Sequence, residues 1–173
     1  MSELETPIEL VAERSVPASA EAIFEFLSDL DRHWLLGGRY VQVVELGGPA
    51  RAPDQGVVRL RGPLGLSRTV RTRVLETTRP SRMTGSAEIG AATAATVSWT
   101  LTRLGEEATH VELRAAVLRA GWGDLALLAL GGRWWLGRMF GSTLGALAAQ
   151  FGRSRGEGPA RIDESAFRPD IGA

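Results

Sequence analysis

Two residues of this sequence are candidates for acid–base chemistry, His33 and Tyr40. His33 lies in the segment SDLDRHWLL, close in sequence to the carboxylates of Asp29 and Asp31. An imidazole titrates near neutral pH, so this segment can supply an acid–base group. Tyr40 is the only tyrosine, and its hydroxyl can donate to a ligand carbonyl. The alternative is that His33 and the carboxylates solvate a short helix and that Tyr40 is exposed at the start of a strand.

The other side chains exclude several classes of chemistry. The sequence has no cysteine, and all 20 of its Lys and Arg residues are arginine. Thiol catalysis, disulfides, thiolate metal sites and lysine Schiff bases are therefore excluded. The second histidine, His110, is expected on the outer face of the last strand, and no three or four convergent metal ligands are evident. We expect neither a metal nor another cofactor.

The charge pattern does not favour a nucleic-acid partner. Twenty acidic residues balance the 20 basic ones, so the net charge is zero. Five arginines lie between Arg59 and Arg73 with no acid among them, and we interpret them as a solvated sheet face. Cross-strand glutamates, namely Glu76, Glu88 and Glu112, can pair with them. The acidic N-terminus MSELETPIEL lacks an apolar stretch of secretory type, so we expect a cytoplasmic protein.

Hydrophobic periodicity predicts one antiparallel sheet and a long C-terminal helix. A first strand over Ile8–Val16 precedes a helix capped by Ser19, and a second short helix passes through His33. Six strands follow, over Tyr40–Leu46, Gln55–Arg61, Ser67–Glu76, Ser81–Ile89, Thr93–Arg103 and His110–Arg119. A helical pattern then runs from Asp124 to Phe151, with a kink expected at Gly131-Gly132. We expect one domain over residues 1–152 and a polar, flexible tail over 153–173.

The strands predict a concave face with space on it. Five of them alternate apolar and polar residues, which indicates a sheet with a core on one side and water on the other. Small residues fall on the apolar side, namely Gly85, Ala87, Ala95 and Ala115. They either allow close packing or leave a cavity. Two polar residues also fall on this face: Thr72, and Arg68, which we expect at the rim because it lies near the GPLGL hairpin.

The order of elements resembles that of a known superfamily. The segments that carry the resemblance are ERSVPASAEAIFEFLSDLDRHWLL at 13–36, Gly56 opening GVVRLRG, VLETTRPSRM at 74–83 and ATHVELRAAV at 108–117. They resemble the START-like (SRPBCC) superfamily, and within it the polyketide cyclase/dehydrase and lipid transport branch. The resemblance covers about Ile8 to Phe151. It implies an α+β helix-grip fold, in which a curved antiparallel sheet of about seven strands wraps a long C-terminal helix and two short helices follow the first strand.

The same resemblance implies a ligand and leaves several functions open. Members bind or transfer lipids, quinones or polyketides, and some are aromatases or cyclases. We expect binding, with or without transport, of a hydrophobic small molecule between sheet and helix. The residues expected to bind it are Trp34, Trp99, Trp135, Met139 and Gly141 as walls, with Arg68, Thr72 or Tyr40 orienting a polar head. The first alternative is a cyclase or aromatase-type enzyme using His33 and Tyr40. The second is a membrane-peripheral or protein-interaction module using Trp134 and Trp135.

The segment GRWWLGRMFGSTLGALAAQF, residues 132–151, allows three interpretations. Asp124, Arg133 and Arg138 divide it into apolar runs too short for a membrane span. Gly137, Gly141 and Gly145 form a small-residue ridge, which suits close helix packing or room for a ligand. The main apolar stripe beside this ridge is predicted to comprise Leu125, Leu128, Gly132, Leu136, Phe140, Leu144, Leu147 and Phe151. A monomer and a homodimer both remain open.

Overall fold

The computed structural model describes residues 2–46, 54–62 and 65–154. A single antiparallel sheet of seven strands has the order β1-β7-β6-β5-β4-β3-β2. Its strands are β1 (Ser2–Val16), β2 (Val41–Leu46), β3 (Gln55–Arg61), β4 (Ser67–Thr78), β5 (Arg82–Ile89), β6 (Thr93–Gly105) and β7 (Ala108–Ala120). Successive strands β2 to β7 pair with their neighbours in sequence, which confirms the predicted meander. β1 pairs with β7 and completes the opposite edge.

Two short helices follow β1, as the sequence predicts. They are α1 (Ala20–Ser28) and α2 (Leu30–Leu35), and a turn of 3₁₀ helix over Gly38–Tyr40 leads into β2. The predicted cap of α1 is confirmed, because the Ser19 hydroxyl accepts a hydrogen bond from the Ala22 amide at 3.3 Å. Asp29 caps α2 through its carboxylate, which accepts from the Asp31 and Arg32 amides.

The C-terminal helical region is broken where the glycine pair stands. It consists of α3 (Trp122–Leu127), a π-helical turn over Leu128–Gly132 and α4 (Arg133–Ser154). Leu130 and Gly131 leave helical geometry, and Gly131 has a φ of 115°, which favours glycine. A Cβ at Gly132 would lie 2.6 Å from the Leu127 carbonyl oxygen. The predicted kink is confirmed. It requires the positive φ of Gly131 and the close approach of Gly132 to the Leu127 carbonyl.

The core lies between the concave face of the sheet and α4. On α4, Met139, Phe140, Leu144 and Leu147 are buried, in agreement with the C-terminal half of the predicted stripe. The inner face of the sheet contributes alternate residues, as in β7, where Val111, Leu113, Ala115 and Val117 are buried. Helix α1 closes one end of this core with Ile23 and Leu27. The period of two along the strands therefore predicts the inner face correctly.

One polar network, centred on the buried Thr93, fixes α3 to the sheet. The Thr93 hydroxyl donates to Asp124 Oδ2 at 2.5 Å and accepts from the Gly121 amide at 3.1 Å. Asp124 Oδ1 also pairs with Arg68 Nη2 at 3.1 Å. Next to this network, Leu125 packs on a small cluster of β6 and β7 side chains. The network therefore joins α3 to both β4 and β6.

Two expectations concern the end of the chain and the membrane. Residues 155–173, which make up nearly all of the predicted tail, lie outside the described residues. In the ranges that the structure does describe, no helix is both long and apolar enough to cross a bilayer.

Candidate ligand cavity

A cavity of about 210 Å³ lies between the sheet and α4. Its wall includes all four of the small inner-face residues that the strand pattern identifies, Gly85, Ala87, Ala95 and Ala115. One water needs roughly 10–15 Å³ of such space, so the cavity exceeds the room for a single ordered water many times over. The small residues on β5, β6 and β7 therefore leave space instead of only permitting close packing.

Most of the cavity wall is apolar. Strands β3 and β4 contribute Val58, Leu60 and Val70, and α4 contributes Leu136, Met139 and Phe140 on the opposite side. Trp99 and Met83, both buried, form part of the sheet side of the wall. Of the predicted wall residues, Trp34, Trp99 and Met139 are thus brought together around one space. An apolar cavity of this kind can hold a hydrophobic ligand.

Gly85 has a second role in shaping this wall. A Cβ at this position would lie 2.8 Å from the Arg73 carbonyl oxygen on β4. The close approach occurs where the β4–β5 register shifts between Val74 and Glu76. Because such a bulge bends the strand, Gly85 permits curvature at the point where the sheet wraps the cavity.

His33 presents its imidazole at the α2 end of the cavity. Its Nδ1 lies 3.0 Å from the Leu27 carbonyl oxygen, which can only accept, so Nδ1 carries the proton. Burial lowers the pKa of His33 below 6.5, and the bond to Leu27 partly opposes this shift. Edge contact with the Trp99 ring, at 5.4 Å between centroids, fixes the ring plane. His33 is therefore neutral at pH 7, and its Nε2 lone pair is available as an acceptor.

Trp34 carries a buried donor with nothing to bind. Its Nε1–H is buried and finds no hydrogen-bond partner among the residues that the structure describes. Trp34 also lines the cavity, beside His33, whose ring centroid lies 5.1 Å from its own. Leaving a buried donor unpaired costs about 1–3 kcal/mol, which a ligand acceptor would recover. Sequence reasoning treats Trp34 as an apolar wall and misses this donor.

The carboxylates near His33 in sequence do not form an acid–base pair with it. Asp29 caps α2 and pairs with Arg32 Nε at 3.3 Å. Asp31 is exposed in the first turn of the same helix. The partner that orients His33 is the Leu27 main-chain carbonyl. Any acid–base role of His33 therefore depends on Nε2 alone.

Tyr40 and Trp135 lie beside the cavity and are not among the residues that line it. Their rings meet edge to face, with centroids 5.9 Å apart. The Tyr40 hydroxyl accepts a hydrogen bond from Arg39 Nη2 at 3.0 Å. That bond lowers the pKa of Tyr40 below 10, burial opposes the shift, and Arg138 lowers it further. Tyr40 and Trp135 thus pack against each other outside the set of lining residues, and their direct contact with a ligand stays a prediction.

The remaining predicted site residues divide between the cavity, its rim and the outer surface. Thr72 lines the cavity, but its hydroxyl already donates to the Gly56 carbonyl oxygen at 3.1 Å. Arg68 is exposed, pairs with Asp124 and is not among the residues that line the cavity, so its role in orienting a polar head stays a prediction. Gly141 is exposed, with open space where a Cβ would stand. Helix α4 turns Phe140 and Leu144 inward, which leaves Gly141 on the outer side of the helix.

Among the described residues, no group of three or more His, Cys, Asp or Glu side chains could hold a metal ion. The polar groups on the cavity wall are instead single groups set in an apolar surface. Their arrangement suits recognition of one polar atom on a hydrophobic molecule.

Solved structures from several bacteria share this fold. The protein TTHA0849 from Thermus thermophilus matches with a TM-score of 0.67 and 19% identity, over 85% of this chain and 99% of that one. The Zhui aromatase/cyclase from Streptomyces sp. R1128 matches with a TM-score of 0.63 and 19% identity, over 86% and 96%. A START superfamily protein from Mycobacterium smegmatis matches with a TM-score of 0.60 and 16% identity, over 84% and 98%. These likenesses show the helix-grip fold.

Among curated proteins, no sequence matches this chain. The sequence of residues 7–152 matches the family described as polyketide cyclase/dehydrase and lipid transport, and this range contains every strand from β2 to β7 and the cavity between sheet and α4. The chain therefore belongs to the polyketide cyclase/dehydrase and lipid transport family.

Proposed function

We propose that this protein binds a hydrophobic small molecule in the cavity between its sheet and α4. The observation that carries the proposal is an apolar cavity of about 210 Å³ whose lining includes Trp34, a residue with a buried N–H that has no partner among the described residues. Family membership supports the same class of ligand.

Burial of apolar surface supplies the affinity. A ligand that buries about 200 Å² of its apolar surface away from water gains roughly 5 kcal/mol of binding free energy, at about 25 cal/mol per Å². Association itself costs several kcal/mol, so this gain alone supports only weak binding. Close contact with Trp99, Met139 and Phe140, together with a hydrogen bond to a polar group, would supply the remainder.

The polar groups of the wall favour a neutral ligand that carries a carbonyl oxygen. Trp34 offers a donor, and the neutral His33 beside it offers an acceptor. Two hydroxyls of the wall are already used, since Thr72 and Thr143 donate to main-chain carbonyls. Arg73 is the one arginine in the described lining, and it is an exposed residue, so a carboxylate buried deep in the cavity would lack a buried cationic partner. A quinone, a polyketide ketone or a neutral lipid meets these conditions better than a free fatty acid.

A pair of matched probes tests this recognition. We expect 1,4-naphthoquinone, which has two carbonyl oxygens, to bind more tightly than naphthalene, which has the same carbon frame and none. The substitution Trp34→Phe keeps an aromatic wall and removes the N–H. It should weaken naphthoquinone binding about 5-fold, equivalent to about 1 kcal/mol for one hydrogen bond, and leave naphthalene binding nearly unchanged.

The control for this experiment is Trp135→Phe, which changes an indole that does not line the cavity. It should leave the binding of both probes close to that of the wild type. Equal losses for naphthoquinone and naphthalene in Trp34→Phe would show that Trp34 contributes only packing. Absence of measurable binding of either probe to the wild-type protein would contradict the proposed cavity function itself.

A second candidate function is a cyclase or aromatase-type reaction in the same cavity. The observation that favours it is the neutral His33, whose Nε2 lone pair is free to accept a proton from a bound substrate. The family description also includes cyclases and dehydrases. This candidate requires turnover of a polyketide substrate that falls strongly in His33→Ala. Unchanged turnover in that variant would remove His33 from the mechanism.

A further inference from the structure

Large apolar side chains are exposed where the C-terminal helical region is broken. Leu130 is 86% exposed, Trp122 is 81% exposed and Trp134 is 70% exposed. We call these three residues, which lie on α3, the π-helical turn and the start of α4, the interfacial surface. The predicted tryptophan pair is thereby divided, because Trp134 faces out while Trp135 packs against Tyr40.

Exposed positions continue along both helices and across the break between them. They comprise Trp122, Gly123, Ala126, Ala129, Leu130, Gly131, Arg133, Trp134, Gly137, Arg138, Gly141 and Ser142. This row contains apolar, small and cationic residues, and it contains no acid. The acid in the same stretch, Asp124, is half-buried and already bound by Arg68 and Thr93.

The charges on this row select one kind of partner. Arg133 and Arg138 are both exposed, and the Arg138 guanidinium lies 5.7 Å from the centre of the Trp134 ring. Tryptophan and leucine flanked by arginine are typical of helices that lie in the headgroup region of anionic bilayers. Two copies of this chain meeting through the same row would instead bring arginines together with no acid to pair with them.

We propose that the interfacial surface docks on an anionic lipid bilayer. Trp122, Leu130 and Trp134 would enter the boundary between headgroups and acyl chains, and Arg133 and Arg138 would lie among lipid phosphates. Leu130 and Gly131, which has a φ of 115°, lie at the break in the helical region, where the Leu130 side chain is exposed. The proposal uses no residue of the cavity wall, so it stands or falls separately from the proposed ligand.

Vesicle co-sedimentation of the full chain tests the proposal. We expect the protein to sediment with vesicles of phosphatidylcholine and phosphatidylglycerol, and much less with phosphatidylcholine alone. Trp122→Ser, Leu130→Ser and Trp134→Ser combined should lower the vesicle partition coefficient more than about 10-fold. Arg133→Gln with Arg138→Gln should lower it several-fold and weaken its dependence on salt.

Matched controls come from the sheet. Leu75 and Leu104 are 58% and 61% exposed on strands β4 and β6, away from the interfacial surface. Leu75→Ser with Leu104→Ser should leave vesicle binding unchanged, and Arg59→Gln with Arg82→Gln provides the corresponding control for charge. Thermal unfolding of every variant should match the wild type, because all these side chains are exposed.

Three results would overturn the proposal. The first is a wild-type protein that fails to sediment with anionic vesicles. The second is a triple variant that binds them as well as the wild type does, or a sheet control that loses as much. The third is a wild-type protein that self-associates without binding vesicles and a triple variant that no longer self-associates. That result would assign the surface to a second copy of this chain.

Discussion

Filling the cavity with a side chain should stabilise the protein and abolish ligand binding. Ala115 is 6% exposed on the inner face of β7 and lines the cavity, with Val97 and Leu10 as its cross-strand neighbours. Ala115→Leu adds three carbons that would project into the empty space. In an ordinary core the same change would collide with neighbours, so its sign distinguishes a cavity from a packed interior.

The expected magnitude follows from the burial of those carbons. Each buried methylene contributes about 0.8 kcal/mol, so three contribute roughly 2.4 kcal/mol. Ordering a leucine side chain costs about 0.5–1 kcal/mol. We therefore expect Ala115→Leu to raise the free energy of unfolding by about 1–2 kcal/mol. Less of the 210 Å³ would then remain for a ligand, and naphthoquinone binding should fall more than about 10-fold.

The matched control lies five positions along the same strand. Ala120 is 2% exposed and packs with Ala95, Val117 and Leu125, and it is not among the residues that line the cavity. Ala120→Leu should overpack that cluster and destabilise the protein by about 1–3 kcal/mol. Urea unfolding, with midpoints and slopes compared at equal protein concentration, measures both changes.

Equal destabilisation of the two variants would refute this reasoning, because it would mean that the space beside Ala115 is closed in solution. A stabilised Ala115→Leu that still binds naphthoquinone as the wild type does would show that the ligand occupies another part of the protein.

The remaining predictions concern pH and the anchoring of α3. Because burial holds the folded pKa of His33 below 6.5, the unfolded state takes up a proton first as the pH falls. The stability associated with neutral His33 is full above pH 6.5 and is lost as the pH falls through the lowered folded pKa. Urea unfolding at about pH 7.5 and about pH 5.5 measures how much stability is lost on acidification. His33→Gln should lose less stability between these pH values than the wild type, and His110→Gln should lose as much as the wild type. Identical losses in His33→Gln and the wild type would contradict the assignment of this pH dependence to His33. Asp124→Ala should cost about 1–3 kcal/mol in urea, because it removes the acceptor of the buried Thr93 hydroxyl. Arg68→Gln should cost less than about 1 kcal/mol, because the Arg68 side chain of that ion pair is exposed. A larger effect of Arg68→Gln than of Asp124→Ala would reverse this order and contradict the role given to Thr93.

Most of the fold follows from local features of the sequence. Alternation predicts the inner face of the strands, and the hydrogen bond that the Ser19 side chain makes to the main chain fixes the start of α1 as predicted. The glycine pair predicts the break in the C-terminal helix. Small residues on the inner face predict the cavity, because Gly85, Ala87, Ala95 and Ala115 share one side of the sheet.

Features that depend on helix rotation or on distant contacts could not be predicted in the same way. The C-terminal half of the apolar stripe of α4 is predicted correctly, yet Gly141 is predicted in the cavity although the packing of Phe140 and Leu144 turns it outward. Neighbouring residues of a helix point about 100° apart, and the packing of Trp135 against Tyr40 leaves Trp134 as the exposed member of the pair. The unpaired Trp34 donor depends on what surrounds it in three dimensions, which no spacing in the sequence encodes. The cytoplasmic location and the flexible tail stay predictions.

Native mass spectrometry of the purified full chain, followed by organic extraction, tests the cavity function most directly. We predict a co-purifying or readily loaded neutral, carbonyl-bearing hydrophobic molecule in wild-type protein, bound one to a chain, and its loss in Ala115→Leu. A wild-type protein that carries no such molecule, and that takes up neither naphthoquinone nor naphthalene when they are added, would contradict the proposal that this cavity is a ligand site.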